Sequence, residues 1–361
     1  MTVGIDLRCL PVDGSTGAGV AHAARFLTEA LLEQEVPWEW VLYVPVGAHG
    51  NAPNLLGKGA LPCAPTRDTS GSALRSALRA HPCDLLLVPS GACAPGITVP
   101  QIPWVHDLAI FDHPEWFPES WLRRMVTTRL FARGLRRAPV IFAVSEETKH
   151  QIVVHLGIDP KKIVVTHEGG DPILQKLEVG SSKLEVQDRY CIAIGTLEPR
   201  KNFGMLARIW SDVFRQTGRR LVIVGKKGWG NVSITEGGGI EIRTTVDEDE
   251  KRHLIKSADL VLVPSFYEGF GLVALEAMQA GTALISSDRG ALSEVVGEGG
   301  LLLSPDDEEV WKREILRLLG DELVRSQTSE KGSVRSKDFS WEKTAKVICS
   351  EIVRMNKKIS V

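Results

Sequence analysis

Two glutamates, Glu268 and Glu276, are the residues of this chain best placed for chemistry. They stand in Leu260–Asp288, LVLVPSFYEGFGLVALEAMQAGTALISSD, which reads as strand, loop, helix, turn and strand. Glu268 lies in the loop, ahead of Gly269, Phe270 and Gly271, and Glu276 lies within the helix that opens at Leu272. Carboxylates accept paired hydrogen bonds from vicinal hydroxyls. Glycines at a helix mouth let a ligand approach the backbone, and the free N–H groups there suit an anion such as a diphosphate. By itself Glu268 reads as a complement to the helix dipole. Glu276 is harder to dismiss as a solvated helix residue. It is set among Leu272, Val273, Ala274, Leu275, Ala277, Met278 and Ala280, where a carboxylate requires a partner.

A second cluster is GTLEPRKN at Gly195–Asn202, where Arg200 and Lys201 sit at a strand-to-helix turn. Two cations at a helix start oppose the macrodipole, which favours a role in binding a diphosphate over a solvated pair. His106-Asp107 ends a strand of the first half; alone, it reads as a turn in which Asp107 caps the next segment. The loop GSTGAG at Gly14–Gly19, with Gly17 and Gly19, is suited to shield a phosphate. His22 occupies the third-glycine position of the dinucleotide pattern, which argues against NAD. GKKGWG at Gly225–Gly230 lacks the lysine-Ser/Thr ending of a P-loop, and reads equally as a ligand loop or a mobile connection. Trp121–Arg137, WLRRMVTTRLFARGLRR, carries six arginines and no acid. It reads as an amphipathic surface helix with a basic outer face, or as a rest on an anionic membrane.

No metal-binding motif is present: Asp247 and Asp249 fit an acidic first helical turn. The six cysteines are widely spaced with no C-x-x-C pair, which suits free thiols in a reducing cytosol. The chain has 361 residues, 43% hydrophobic, with a formal net charge of −2, so two domains are expected and no global field favours nucleic acid. The N-terminus resembles no signal peptide, and no apolar run nears the ~20 residues of a membrane span.

The elements that position these residues alternate. Strands are expected at Val3–Leu7, Trp40–Val44, Leu85–Val88, Pro103–His106 and Val140–Val144. A second series falls at Cys191–Gly195, Leu221–Val224, Glu241–Thr245, Leu260–Val263, Ala283–Ser286 and Leu301–Leu303. Helices are expected at Ala18–Gln34, Ser120–Arg137, Glu146–His155, Asn202–Gln216, Glu248–Ser257, Leu272–Ala280, Asp307–Leu319 and Trp341–Met355. Apolar strands alternating with helices predict an α/β fold with parallel sheets buried on both faces. The polar stretch 171–189 reads as a linker between domains 1–170 and 190–338, with 339–361 a closing helix. Two such halves predict a ligand cleft facing the strands' carboxyl ends.

Pro264–Ala280, PSFYEGFGLVALEAMQA, resembles the donor-site signature of glycosyltransferase family 4. GTLEPRKN, Val144–Val165, Trp104–Pro118, Gly4–Pro11 and Phe339–Ala345 resemble the same family in the same order. The resemblance implies a GT-B fold, two Rossmann-like domains facing each other across a cleft, with the last helix crossing back to the first domain. It implies a retaining, metal-independent transferase without a cofactor. Its substrates would be a nucleotide-sugar donor, GDP-mannose as a first guess, and a glycan or lipid-linked acceptor of surface polysaccharide synthesis. Glu276 would bind the ribose, and Glu268 the transferred sugar. Backbone N–H groups of Phe270, Gly271 and Leu272 would contact sugar and phosphate. Lys201 with Arg200 would neutralise the diphosphate, and His106 would touch the donor sugar. Thr196 stands where many relatives carry arginine, leaving that charge to Arg200. The expected location is cytoplasmic, peripheral at the inner membrane face through the Arg-rich helix. A nucleotide-sugar epimerase and an inactive binding module are the alternatives.

Overall fold

The computed structural model describes residues 1–11, 19–46, 63–66, 69–174, 189–230, 232 and 234–359. It divides into two compact units. The first comprises Met1–Leu108, Glu119–Gly169 and Ser340–Val361; the second comprises Ala109–Pro118 and Gly170–Phe339.

The first unit runs β1 (Thr2–Asp6), α1 (Gly19–Leu32), β2 (Glu39–Pro45), β3 (Cys63–Thr66), α2 (Gly71–Ala80), β4 (Leu85–Val88) and β5 (Gln101–Val105). After α3 (Ala109–Asp112), which clusters with the second unit, come α4 (Trp121–Arg137), β6 (Ile141–Ala143), α5 (Glu146–Leu156) and β7 (Ile163–Val165). Seven described strands form one parallel sheet in the order β3-β2-β1-β4-β5-β6-β7. β4 is buried at every position, as its unbroken run of leucine and valine demands of a strand covered on both faces.

The second unit holds β8 (Tyr190–Ile194), α6 (Phe203–Thr217), β9 (Arg220–Val224), β10 (Ile240–Arg243), α7 (Glu248–Ser257), β11 (Leu260–Val263) and α8 (Leu272–Ala280). It continues through β12 (Leu284–Ser287), α9 (Leu292–Val296), β13 (Leu301–Leu303), α10 (Glu308–Gly320) and α11 (Glu322–Ser336). Its parallel sheet has the order β10-β9-β8-β11-β12-β13. A core of Phe203, Trp210, Leu221, Leu260, Ile285, Trp311 and Ile315 packs one face. The chain ends in α12 (Trp341–Ile359), whose Trp341 ring stacks on Phe26 of α1 at 6.0 Å, within the first unit.

Sequence and structure differ in a few elements. β3 is absent from the sequence pattern because Pro65 breaks it; at the sheet edge a proline forfeits no ladder bond. β7 is three residues long. α2 and α11 are likewise additions to the expected helices. α2 is short, with Ala73, Leu74 and Ala77 buried beneath a Ser70 cap that accepts from Ala73 N; α11 buries only Gly332 and Ser336, and Asp321 caps it by accepting from Val324 N. The segment Ala109–Pro118 clusters with the second unit, where Phe117 stacks on Trp229. Of the expected linker, Asp171 is fully buried and bonded to Arg252 of α7 at 2.6 Å. Residues 175–188 lie outside the described ones.

Candidate functional site

Each sheet reverses its winding once: between β1 and β4 in the first unit and between β8 and β11 in the second. At such a switch point the loops leaving the strands diverge, and a crevice opens beyond their carboxyl ends. In the second unit the two loops involved are GTLEPRKN after β8 and PSFYEGFG after β11. The switch point therefore brings Arg200, Lys201 and Glu268 together.

Pro199–Lys201 form one 3₁₀ turn, and Asn202 then enters α6 in the left-handed conformation, φ 54°. Lys201 Nζ donates to Glu268 Oε1 at 2.6 Å. The same oxygen accepts from Ser265 Oγ at 2.7 Å. Arg200 Nη1 reaches Glu268 Oε2 at 3.4 Å, while Nη2 donates to Glu198 Oε1 at 2.8 Å. Burial works against a charge on Glu268, yet Lys201 and then Arg200 hold its carboxyl below the ordinary range. The outcome is an ionised carboxylate between two cations, at the mouth of a helix.

That helix, α8, begins at Gly271, φ 104°, a left-handed conformation that only glycine adopts without strain. A Cβ there would also stand 2.6 Å from Leu292 Cδ2. Phe270 is buried edge-to-face against Phe339, 5.7 Å between centroids, and Leu272 is half-buried. Deeper in the helix Glu276 is 2% exposed. The partner it requires is Lys251 of α7, whose Nζ bonds Glu276 Oε1 at 3.1 Å and meets Glu248 Oε2 at 3.1 Å. Burial pushes the Glu276 carboxyl above its ordinary range; Lys251 opposes this, while Asp171 and Glu248 add to it. Burial works against a charge on Lys251, but Glu276 and Glu248 outweigh it and raise its affinity for the proton. Lys251, Ser265 and Glu198 are not singled out by the sequence. Only the need of Glu276 for a cation is visible there.

Gly225 has a packing reason to be glycine: a Cβ would fall 1.9 Å from Gly195 O. The GKKGWG loop lies along GTLEPRKN through Leu197 N to Lys226 O and Gly228 N to Leu197 O. Gly19 is the first residue of α1, and Gly17 lies outside the described residues. Asp247 accepts from Glu250 N, so the Asp247–Asp249 pair starts a helix, as its sequence suggests.

In the first unit His106 follows β5. Its Nδ1 is 2.9 Å from Glu168 Oε1 and its Nε2 is 2.7 Å from Pro89 O, just beyond β4. Glu168, three residues past β7 and 2% exposed, carries no sequence signal of its own; it lies 62 residues from His106.

On α4 only Ala132 and Leu135 are buried. Trp121, Leu122, Val126 and Leu130 are 64%, 54%, 53% and 47% exposed. At ~100° per residue, Leu122, Val126 and Leu130 share a sector of about 80°, interleaved with exposed Arg129, Arg133 and Arg137. The outer face is thus apolar as well as basic. Among the described residues no helix is long and apolar enough to cross a membrane.

Residues 188–321 match the family model for glycosyl transferases group 1, and residues 46–172 match that for glycosyltransferase family 4. O-antigen chain mannosyltransferase B of Escherichia coli is 31% identical over 258 residues, covering 66% of this chain and 66% of its own length. D-inositol 3-phosphate glycosyltransferase of Corynebacterium glutamicum is 29% identical over 259 residues, 64% of this chain and 60% of its own length. The chain thus spans just under two thirds of these relatives. Sucrose-phosphate synthase from Thermosynechococcus elongatus superposes with a TM-score of 0.76 at 18% identity, over 99% of this chain and 100% of that one, a likeness of fold.

Proposed function

The chain belongs to glycosyltransferase family 4 and has the paired parallel α/β units of a GT-B fold, and from that premise we propose that it transfers a hexose from a nucleoside-diphosphate sugar to an acceptor hydroxyl. The observation that carries the reading is the convergence of Lys201, Arg200 and Glu268 at the mouth of α8. Departure of a nucleoside diphosphate leaves an oxocarbenium-like carbon and concentrates negative charge on the leaving oxygen. Lys201, Arg200 and the N–H groups opening α8 are suited to meet that charge, so the reaction needs no metal. Glu268 accepts from hydroxyls of the transferred sugar, and Glu276 from the ribose. In the retaining course, the acceptor oxygen attacks the anomeric carbon from the face the diphosphate leaves. The bond to the phosphate oxygen breaks, and the acceptor proton passes to that oxygen.

The likeness to a mannosyltransferase, together with GTLEPRKN, favours GDP-mannose as donor, with a glycan or lipid-linked acceptor. The outward Leu122–Val126–Leu130 stripe, set among arginines, complements an anionic bilayer, so the chain works at the cytoplasmic leaflet. Thermal shift with GDP-, UDP- and dTDP-sugars tests the donor. A ligand at 100 times its Kd stabilises by about 2.7 kcal/mol. GDP-mannose should raise Tm with chelator present, and no response to any nucleotide sugar would refute the proposal. Product from donor alone would indicate an epimerase instead. Sedimentation with phosphatidylglycerol vesicles, compared with phosphatidylcholine alone, tests the bilayer contact; equal recovery would exclude it.

A further inference from the structure

His106 and Glu168 form a buried pair in the first unit whose geometry constrains protons. Glu168 Oε1 faces Nδ1 at 2.9 Å and Pro89 O faces Nε2 at 2.7 Å. A peptide carbonyl and an ionised carboxylate only accept, and a neutral imidazole donates from one nitrogen alone. Both contacts are satisfied when the ring carries two protons, or when Glu168 itself holds one. Other groups around the ring are Asp107, next in sequence, and Trp104, edge-on at 4.7 Å; Thr148 Oγ1 donates to the His106 carbonyl. Among the described residues, the charged groups that act on the ring, Glu168 and Asp107, are both acids. Burial opposes the imidazolium, but the Glu168 bond and charge, with Pro89 and Asp107, outweigh it and raise the ring's affinity for its proton.

We propose that Glu168 is a positioning residue that locks His106 as a doubly protonated donor, which with Pro89 O reads a sugar hydroxyl. A hydroxyl both accepts and donates, so one arriving there would replace the direct 2.7 Å bond, taking the Nε2 proton and giving its own to Pro89 O. The pair lies past the carboxyl ends of β4, β5 and β7, and the His106 side chain keeps 14% of its surface open. A general base needs a free nitrogen, and here neither is free. The inference rests on the sugar-transfer reading.

Glu168→Gln keeps the shape and removes the charge; Glu168→Asp keeps the charge. With ¹⁵N-histidine labelling, the His106 signals are assigned by their loss in His106→Asn. Wild-type His106 should show two protonated nitrogens at pH 7, and Glu168→Gln only one. The carboxylates that orient metal-bound histidines set the scale: kcat/KM of Glu168→Gln should fall about 10–100-fold at pH 8 and recover as pH drops. Glu168→Asp should retain part of the activity. A single protonated nitrogen in wild type overturns the locked state. A Glu168→Gln rate that is unchanged, or reduced equally at every pH, overturns the positioning role. Absence of transfer by wild type would count against the proposed function, while the nitrogen signals would still decide the state of His106.

Discussion

Replacing Lys201 by methionine keeps the stem and removes the charge, and its consequences can be worked from the contacts. The ammonium lies 2.6 Å from Glu268, with the two side chains 13% and 11% exposed. Losing one member of a buried ion pair costs about 3–5 kcal/mol. Glu268 keeps Ser265 at 2.7 Å and Arg200 at 3.4 Å, and water reaches both partners, so about 1–3 kcal/mol is expected. The catalytic loss is larger: a donor aimed at developing charge contributes roughly 3–4 kcal/mol, or about 10²–10³ in kcat. Chemical denaturation and single-turnover kinetics of Lys201→Met, Glu268→Gln and the double variant separate the two effects. If Lys201 acts on the leaving diphosphate and Glu268 on the sugar, the two rate losses add on a logarithmic scale, while the stability losses overlap. If Lys201 serves only to hold Glu268, the double variant will be as slow as Glu268→Gln alone. Turnover of Lys201→Met within about threefold of wild type would refute the reasoning outright.

The same contacts give two further outcomes. Glu276→Gln should weaken nucleoside-diphosphate binding about 10–100-fold by calorimetry, the worth of a charged hydrogen bond. Lys251→Met should act in the same direction, because Glu276 then loses its cation; unchanged affinity in both would remove this pair from the nucleotide site. Stability should fall at both ends of the pH range. Glu268, held below 4.5, contributes above its unfolded pKa, and that share is lost as pH falls through the lower folded value. His106, held above 6.5, contributes fully below its unfolded pKa and loses its share as pH rises through the higher folded value. Denaturation across pH should show the acid limb shrink in Glu268→Gln and the alkaline limb in Glu168→Gln.

The parts visible in the sequence are those encoded locally. β4 and β11 are unbroken apolar runs, and their observed limits match the expected ones. Glu268, Arg200 and Lys201 are legible because glycine, proline and charge cluster at strand ends, where α/β folds bind ligands. β3 and α11 are hidden, one by a proline permitted at a sheet edge, the other by a polar helix with only Gly332 and Ser336 buried. The partners are hidden for a different reason. Lys251 precedes Glu276 by 25 residues and Glu168 lies 62 beyond His106, and only the folded sheets make them neighbours. A buried acid announces that a cation is needed, but sequence does not say which one.

Glu268 and Glu276 are pushed in opposite directions, and this separates their chemistry. Glu268 faces two cations and a hydroxyl donor, so it stays ionised and a strong acceptor down to acid pH. Glu276 shares one lysine with Glu248 and has Asp171 nearby, so the α7–α8 cluster carries more acid than base. Such a cluster gains when hydroxyl donors arrive to satisfy the carboxylate, and it would repel phosphate. On the proposed function, the anionic part of a donor would be directed to Arg200 and Lys201, and its neutral diol to Glu276. One helix, with its positive end at Gly271 and an acid-rich flank at Glu276, would then fix which end of a nucleotide sugar points where. Inorganic pyrophosphate should then lose affinity with Lys201→Met and gain or keep it with Glu276→Gln; the reverse order would mean that the diphosphate sits beside Glu276 and the orientation is wrong.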